Sequence, residues 1–214
     1  MTKIKICGIT RLEDARDACL AGADALGFNF SQTSLRRITP DRAKAIIEQL
    51  PLFVQSVGIF VEQRADEINA ICRHCKLNVA QLHHERYSAT DALAITEAKV
   101  IKVFRPEENF AVEKVFEFAR HSGINTFLFD AYRPEMAGGT GEPIGADLAA
   151  RIFKELGTSC YAILAGGLNS TNVAEAIHRL QPYGVDTASG VETEPGIKSR
   201  EKINAFTKAV RNAS

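Results

Sequence analysis

The chain carries no surplus of either charge: 26 lysines and arginines stand against 26 aspartates and glutamates, so no global field draws it toward nucleic acid or an anionic membrane surface. It lacks any segment approaching the ~20 consecutive apolar residues that a membrane span needs. A first strand beginning near residue 3 leaves no room for the charged and apolar regions of a secretory signal, which is therefore not expected. Cysteine is scarce and odd in number, five without regular spacing, which argues against a disulfide scaffold and for a reducing, cytoplasmic setting. The opening KICGIT also lacks G-x-G-x-x-G, the dinucleotide fingerprint expected after the first strand of an open doubly wound sheet.

What is present is alternation. Short apolar runs (KIKICGI, DALGFNF, QSVGIFV, VAQLH, KVIKVF, TFLFDA, CYAILAGG and GVDTASG) end in polar or glycine residues and are followed by amphipathic stretches with helical spacing. Helix signals fall between them: Thr10 with Glu13 as a capping box, Thr39 before Pro40, and Gly22, Gly123 and Gly157 as closing glycines. Eight strand–helix units in 214 residues, with no long linker, favour closure over an open sheet. The expectation is an α/β protein, one (β/α)8 TIM barrel domain over residues 1–214, with its site at the carboxyl ends of the strands.

Those ends carry Cys7, Asn29, His83, Asp130, Gly166-Gly167 and Ser189-Gly190, where a buried parallel sheet would otherwise finish apolar. Gly166, Gly167, Ser189 and Gly190 lie on the adjacent seventh and eighth loops, where exposed backbone N–H groups cradle a phosphoryl group. Period-2 alternation in TFLFDA sends Phe127 and Phe129 toward the helices and Leu128 and Asp130 into the barrel; in KIKIC it sends Lys3, Lys5 and Cys7 inward. Cys7 and Asp130 then offer a base and an acid to one small phosphorylated substrate. Lys5 needs a counter-charge, and Asp186 on the last strand is the expected partner. One of Arg36 and Arg37, beyond the second strand, suits a carboxylate clamp. The C-R-H-C run at Cys72 to Cys75 falls within a helix at the back of the barrel and is not read as a metal site; adjacent His83 and His84 point to opposite faces, His83 toward the cavity.

In their order over the whole chain, KICGIT, GFNF with Ser34-Leu35-Arg36-Arg37-Ile38, Gln81-Leu82-His83, FLFD ending at Asp130, Gly138 to Gly141 as GGTG, LAGGL, and SGVE with Pro195-Gly196 and Lys198 resemble the phosphoribosylanthranilate isomerase family of tryptophan biosynthesis. The resemblance implies a cofactor-free, metal-free Amadori rearrangement of N-(5-phosphoribosyl)anthranilate to the 1-deoxyribulose 5-phosphate. It makes Cys7 the general base, Asp130 the general acid and Arg36 the partner of the anthranilate carboxylate. Gly166, Gly167, Ser189 and Gly190 become the phosphate cradle, and Gln81 and His83 the wall. Leu35, Arg37, His84 and Ile144 depart from the family pattern of proline, aromatic, glycine and phenylalanine. A thiol with an ordinary pKa of about 8.5 suits the base role.

Two other readings stay in view. A different phosphosugar isomerase or epimerase would share the phosphate loops but would need metal-ligating strand ends or paired aspartates. A silent phosphate-binding barrel would need neither reactive group. Neither nucleic acid nor membrane is an expected partner, and a free-standing barrel suggests a monomer or loose homodimer.

Overall fold

A computed structural model describes residues 1–130 and 144–214, the side chains of 144–146 excepted. Among the described residues eight strands build the barrel: β1 (Lys3–Ile6), β2 (Ala25–Asn29), β3 (Gln55–Phe60), β4 (Val79–Leu82), β5 (Lys99–Phe104), β6 (Thr126–Asp130), β7 (Tyr161–Ala165) and β8 (Gly184–Thr187). They close into a barrel in sequence order, every neighbouring pair parallel, and β8 returns to β1 with Lys5 level with Asp186. The helices between them are α1 (Leu12–Ala21), α2 (Pro40–Ile47), α3 (Ala65–Cys75), α4 (Ala89–Leu93), α5 (Glu113–Ser122), α6 (Ile144–Leu156) and α7 (Val173–Leu180), with α8 (Arg200–Ala213) closing the chain. Beyond β8, a 3-10 turn at Ser189–Val191 leads into a hairpin of β9 (Glu192–Glu194) and β10 (Ile197–Lys198). Among the described residues no helix is long and apolar enough to cross a membrane.

Two layers of core follow from the strand alternation. Ile4, Ile6, Phe28, Leu82, Phe127, Phe129, Leu164 and Val185 point outward and pack against the helices. Ile101, Val103, Leu128, Ile163 and Ala165 fill the barrel itself. Phe129 lies between Phe104, 6.0 Å away, and Phe153, 5.6 Å away, and full burial of such a ring contributes about 1.5–3 kcal/mol. Because Leu128 faces in and its two neighbours face out, Asp130 continues the inward row.

Local signals set most helix ends. Thr39 accepts a hydrogen bond from the Arg42 N–H ahead of Pro40, and Gly22 and Gly123 close α1 and α5 with left-handed backbone. The capping box expected at Thr10 does not form. The helix starts after Arg11, and the Thr10 hydroxyl donates instead to the Gly196 carbonyl, 2.5 Å away on the distant β9–β10 turn. A long-range acceptor has outcompeted the local one, and it ties that hairpin to the loop after β1.

Lys5 and Asp186 meet inside the barrel at 2.8 Å, both buried. Burial opposes the Lys5 charge, yet Asp186 and then Cys7 hold its ammonium above the ordinary value. Lys3, by contrast, is half-exposed and pairs with Asp24 at 3.0 Å. Replacing Lys5 with methionine strands the buried Asp186 and is expected to cost about 3–5 kcal/mol of stability in urea unfolding. The double variant Lys5→Met/Asp186→Leu should recover most of it, and a fully stable single variant would contradict the pairing.

Candidate active site

The chain turns sharply as it leaves β1. Cys7 N donates to the Thr187 carbonyl at 2.8 Å, Gly8 adopts a left-handed φ of 79°, and the N–H groups of Gly8 and Ile9 both bond the Gly27 carbonyl. This turn presents the Cys7 thiol over Gly27: a β-carbon at position 27 would stand 2.8 Å from the sulfur, so glycine there is the space in which the thiol sits. Glycine 8 is equally constrained, since its own β-carbon would lie 2.5 Å from Cδ of Arg36. The arginine stem is thus laid directly alongside the cysteine turn.

The two arginines part company in the structure. Arg36 Nε and Nη2 donate to the two carboxylate oxygens of Glu192 at 2.8 and 2.6 Å, while Arg37 is exposed and pairs with Asn29 through backbone alone. Glu192 also accepts from Lys198 Nζ at 2.7 Å and from the Gly196 N–H at 3.1 Å. Lys198 Nζ reaches on to the carbonyls of Cys7, at 2.5 Å, and Ala188, at 3.1 Å. Burial works against the Glu192 carboxylate, but the bonds from Arg36 and Lys198 hold it below the usual carboxylate range. Burial also pushes the Cys7 thiol up, and the positive charges of Lys5 and Lys198 recover only part of that rise. The ordinary thiol pKa expected from sequence is therefore corrected: out of water the anion is disfavoured.

Asp130 meets a different set of groups. Arg105 Nε lies 3.6 Å from its Oδ2 and His83 Nε2 3.8 Å from the same atom. Burial, then the charges of Arg105 and Lys5, push the His83 pKa down to about 4, so the ring is neutral at physiological pH. Its Nδ1 lies 3.1 Å from the Gln81 amide nitrogen, and its Nε2 faces Asp130. Gln81 is buried, and its Oε1 has no hydrogen-bond partner among the described residues.

The seventh and eighth loops touch. Gly166 and Gly167 both have positive φ, 100° and 75°, and the Thr187 hydroxyl donates to the Leu168 carbonyl at 2.6 Å. Gly190 packs on that junction, where a β-carbon would overlap the Leu168 oxygen. Ser189 is exposed at the start of the short 3-10 turn, so the four residues expected to form the cradle lie on two touching loops.

A family model described as N-(5'phosphoribosyl)anthranilate (PRA) isomerase matches residues 4–209. The chain belongs to this family. The N-(5'-phosphoribosyl)anthranilate isomerase of Pelodictyon phaeoclathratiforme is 74% identical over 211 residues, 99% of this chain and 98% of that protein. A phosphoribosyl anthranilate isomerase from Thermotoga maritima superposes with a TM-score of 0.85 at 34% identity, covering 99% of this chain and all of that one. A second solved enzyme of this name, in complex with reduced 1-(o-carboxyphenylamino)-1-deoxyribulose 5-phosphate, gives the same score at 33% identity and the same coverage.

Three of the four departures from the phosphoribosylanthranilate isomerase motifs lie at exposed positions. Leu35 and Arg37 are exposed. His84 is exposed too, and its carbonyl accepts a 2.6 Å hydrogen bond from Lys102, a buried lysine set over the rings of Phe104 and Phe118 whose pKa burial pushes down to about 8. The GGTG run lies outside the described residues, as does the Ile144 side chain. Cys72 and Cys75 pack in the core while His74 leaves it to meet Asp41 at 2.8 Å. Sequence reasoning assigned no role to Glu192, Lys198, Arg105 or Gly27. A signal for the first two was present: an acid and a lysine six residues apart around Pro195-Gly196, the spacing of a tight hairpin.

Proposed function

We propose that the chain converts N-(5-phosphoribosyl)anthranilate to 1-(2-carboxyphenylamino)-1-deoxyribulose 5-phosphate, the Amadori rearrangement of tryptophan biosynthesis. Membership of the isomerase family carries this reading, and the inward placement of Cys7 and Asp130 supports it. The phosphate sits on the backbone of Gly166, Gly167, Ser189 and Gly190, Arg36 meets the anthranilate carboxylate, and Gln81 and His83 line the wall. Asp130 gives a proton to the furanose ring oxygen, and the ring opens to a Schiff base. The Cys7 thiolate then takes the C2′ proton, leaving an enolamine that tautomerises to the ketone. Proton transfers alone balance the sequence. Its setting is the cytoplasm, consistent with five free thiols, and it acts as a monomer or loose homodimer.

The test is loss of substrate fluorescence when purified protein meets freshly generated phosphoribosylanthranilate. Turnover that survives chelator supports the reading. Absence of turnover by the intact chain returns the function to another phosphosugar isomerase or to a silent binder.

A further inference from the structure

A guanidinium has two edges that offer paired, parallel N–H donors: Nε with Nη2, and Nη1 with Nη2. In Arg36 the first edge is taken, since Nε and Nη2 each reach a different oxygen of Glu192. Nη1 has no hydrogen-bond partner among the described residues, and the Arg36 side chain is 26% exposed while that of Glu192 is 5% exposed. The used edge is held by a buried carboxylate, and the partial exposure of Arg36 leaves its second edge available. Gly8 walls one side of the arginine stem, so the fork is held by packing as well as by charge.

We infer that Glu192 is a positioning residue for carboxylate recognition, holding Arg36 so that only its Nη1/Nη2 edge is open to a carboxylate-bearing ligand. This rests on the isomerase reading above. Three features of the surroundings support it. Glu192 is itself fixed by Lys198 Nζ and the Gly196 N–H, so it cannot follow Arg36 if the arginine moves. Lys198 carries the same network to the Cys7 carbonyl and to Ala188, just before Ser189, so the carboxylate clamp, the proposed base and the phosphate loop share one register. Finally, one carboxylate stands between two cations. The cluster keeps a net positive charge, and its most exposed member is Arg36.

The experiment compares two ligands on the full chain: reduced 1-(o-carboxyphenylamino)-1-deoxyribulose 5-phosphate and the same compound without the carboxyl group. In the wild type the carboxylate should improve affinity by about 10- to 100-fold, the worth of charge-assisted hydrogen bonds. Glu192→Gln keeps the shape but turns an N–H group toward Arg36. It should shrink that ratio to a few-fold, leave binding of the carboxyl-free ligand little changed, and raise KM more than it lowers kcat. Lys198→Met removes one of the two bonds that fix Glu192 but leaves the Arg36–Glu192 fork, so the ratio should shrink less than in Glu192→Gln while kcat falls through the loosened Cys7 turn. Equal weakening of both ligands by Glu192→Gln, with the ratio intact, would show a purely structural role and overturn the inference. A wild type that binds both ligands equally also overturns it while leaving the isomerase reading in place; a wild type that binds neither overturns both.

Discussion

Replacing Cys7 with alanine is expected to lower kcat by about 10²- to 10⁴-fold, the usual worth of a positioned general base. The thiol sits at the turn after β1, over the gap left by Gly27, and alanine fits that space without strain. In the proposed reading substrate binding rests on Arg36 and the seventh and eighth loops, so KM should change little. The pH profile carries the second half of the prediction. Burial raises the thiol pKa, so the thiolate is the minor form at neutral pH. A base works deprotonated; kcat/KM should therefore rise with pH through the neutral range, with its limb centred above the ordinary thiol value of about 8.5. Removing the Lys198 charge should move that limb further up, because Lys198 favours the anion. Steady-state fluorescence assays from pH 6 upward measure both effects. An alanine variant retaining most of the activity would sink the assignment of Cys7.

Gly190→Ala is expected to raise KM by about 100-fold, the loss of one or two hydrogen bonds to a charged group. The added methyl would overlap the Leu168 oxygen and stand 2.8 Å from the Thr187 hydroxyl, the two atoms whose hydrogen bond joins the seventh and eighth loops. Neither neighbour is the flexible end of a side chain free to yield; one is backbone and the other is committed to it. The loops must part, and the N–H groups proposed to converge on one phosphoryl group would then diverge. Overpacking should also cost about 1–3 kcal/mol of stability. Ser189→Ala keeps the backbone N–H and serves as the mild counterpart, expected to cost less than about tenfold. KM values and competition by inorganic phosphate separate the two variants; an unchanged KM in Gly190→Ala would remove these loops from phosphate binding.

The period-2 pattern made the barrel legible because it is a local property: residues two apart on a strand share a face whatever the rest of the chain does. It placed Phe127 and Phe129 against the helices and Lys5 opposite Asp186, since closure leaves β8 beside β1. The same rule marked Cys7 and Asp130 as inward strand ends, and turn chemistry marked the glycines of the last two loops. The helix caps show where local reasoning reached its limit. Thr39 found its own helix, whereas Thr10, just as suitable by sequence, found Gly196 at a separation of 186 residues.

Sequence alone therefore determined the eight-strand order, the inner and outer rows and the chemical types at the rim, all consequences of neighbours along the chain. Tertiary structure decided that Arg36 is drawn beside the Cys7 turn while Arg37 stays exposed, which carboxylate holds the Arg36 fork, the gap at Gly27 that houses the thiol, and the direction of the Cys7 and His83 pKa shifts. Each of these depends on atoms brought together across the barrel, as with Arg36 and Glu192 at 156 residues apart, and on water being excluded where they meet.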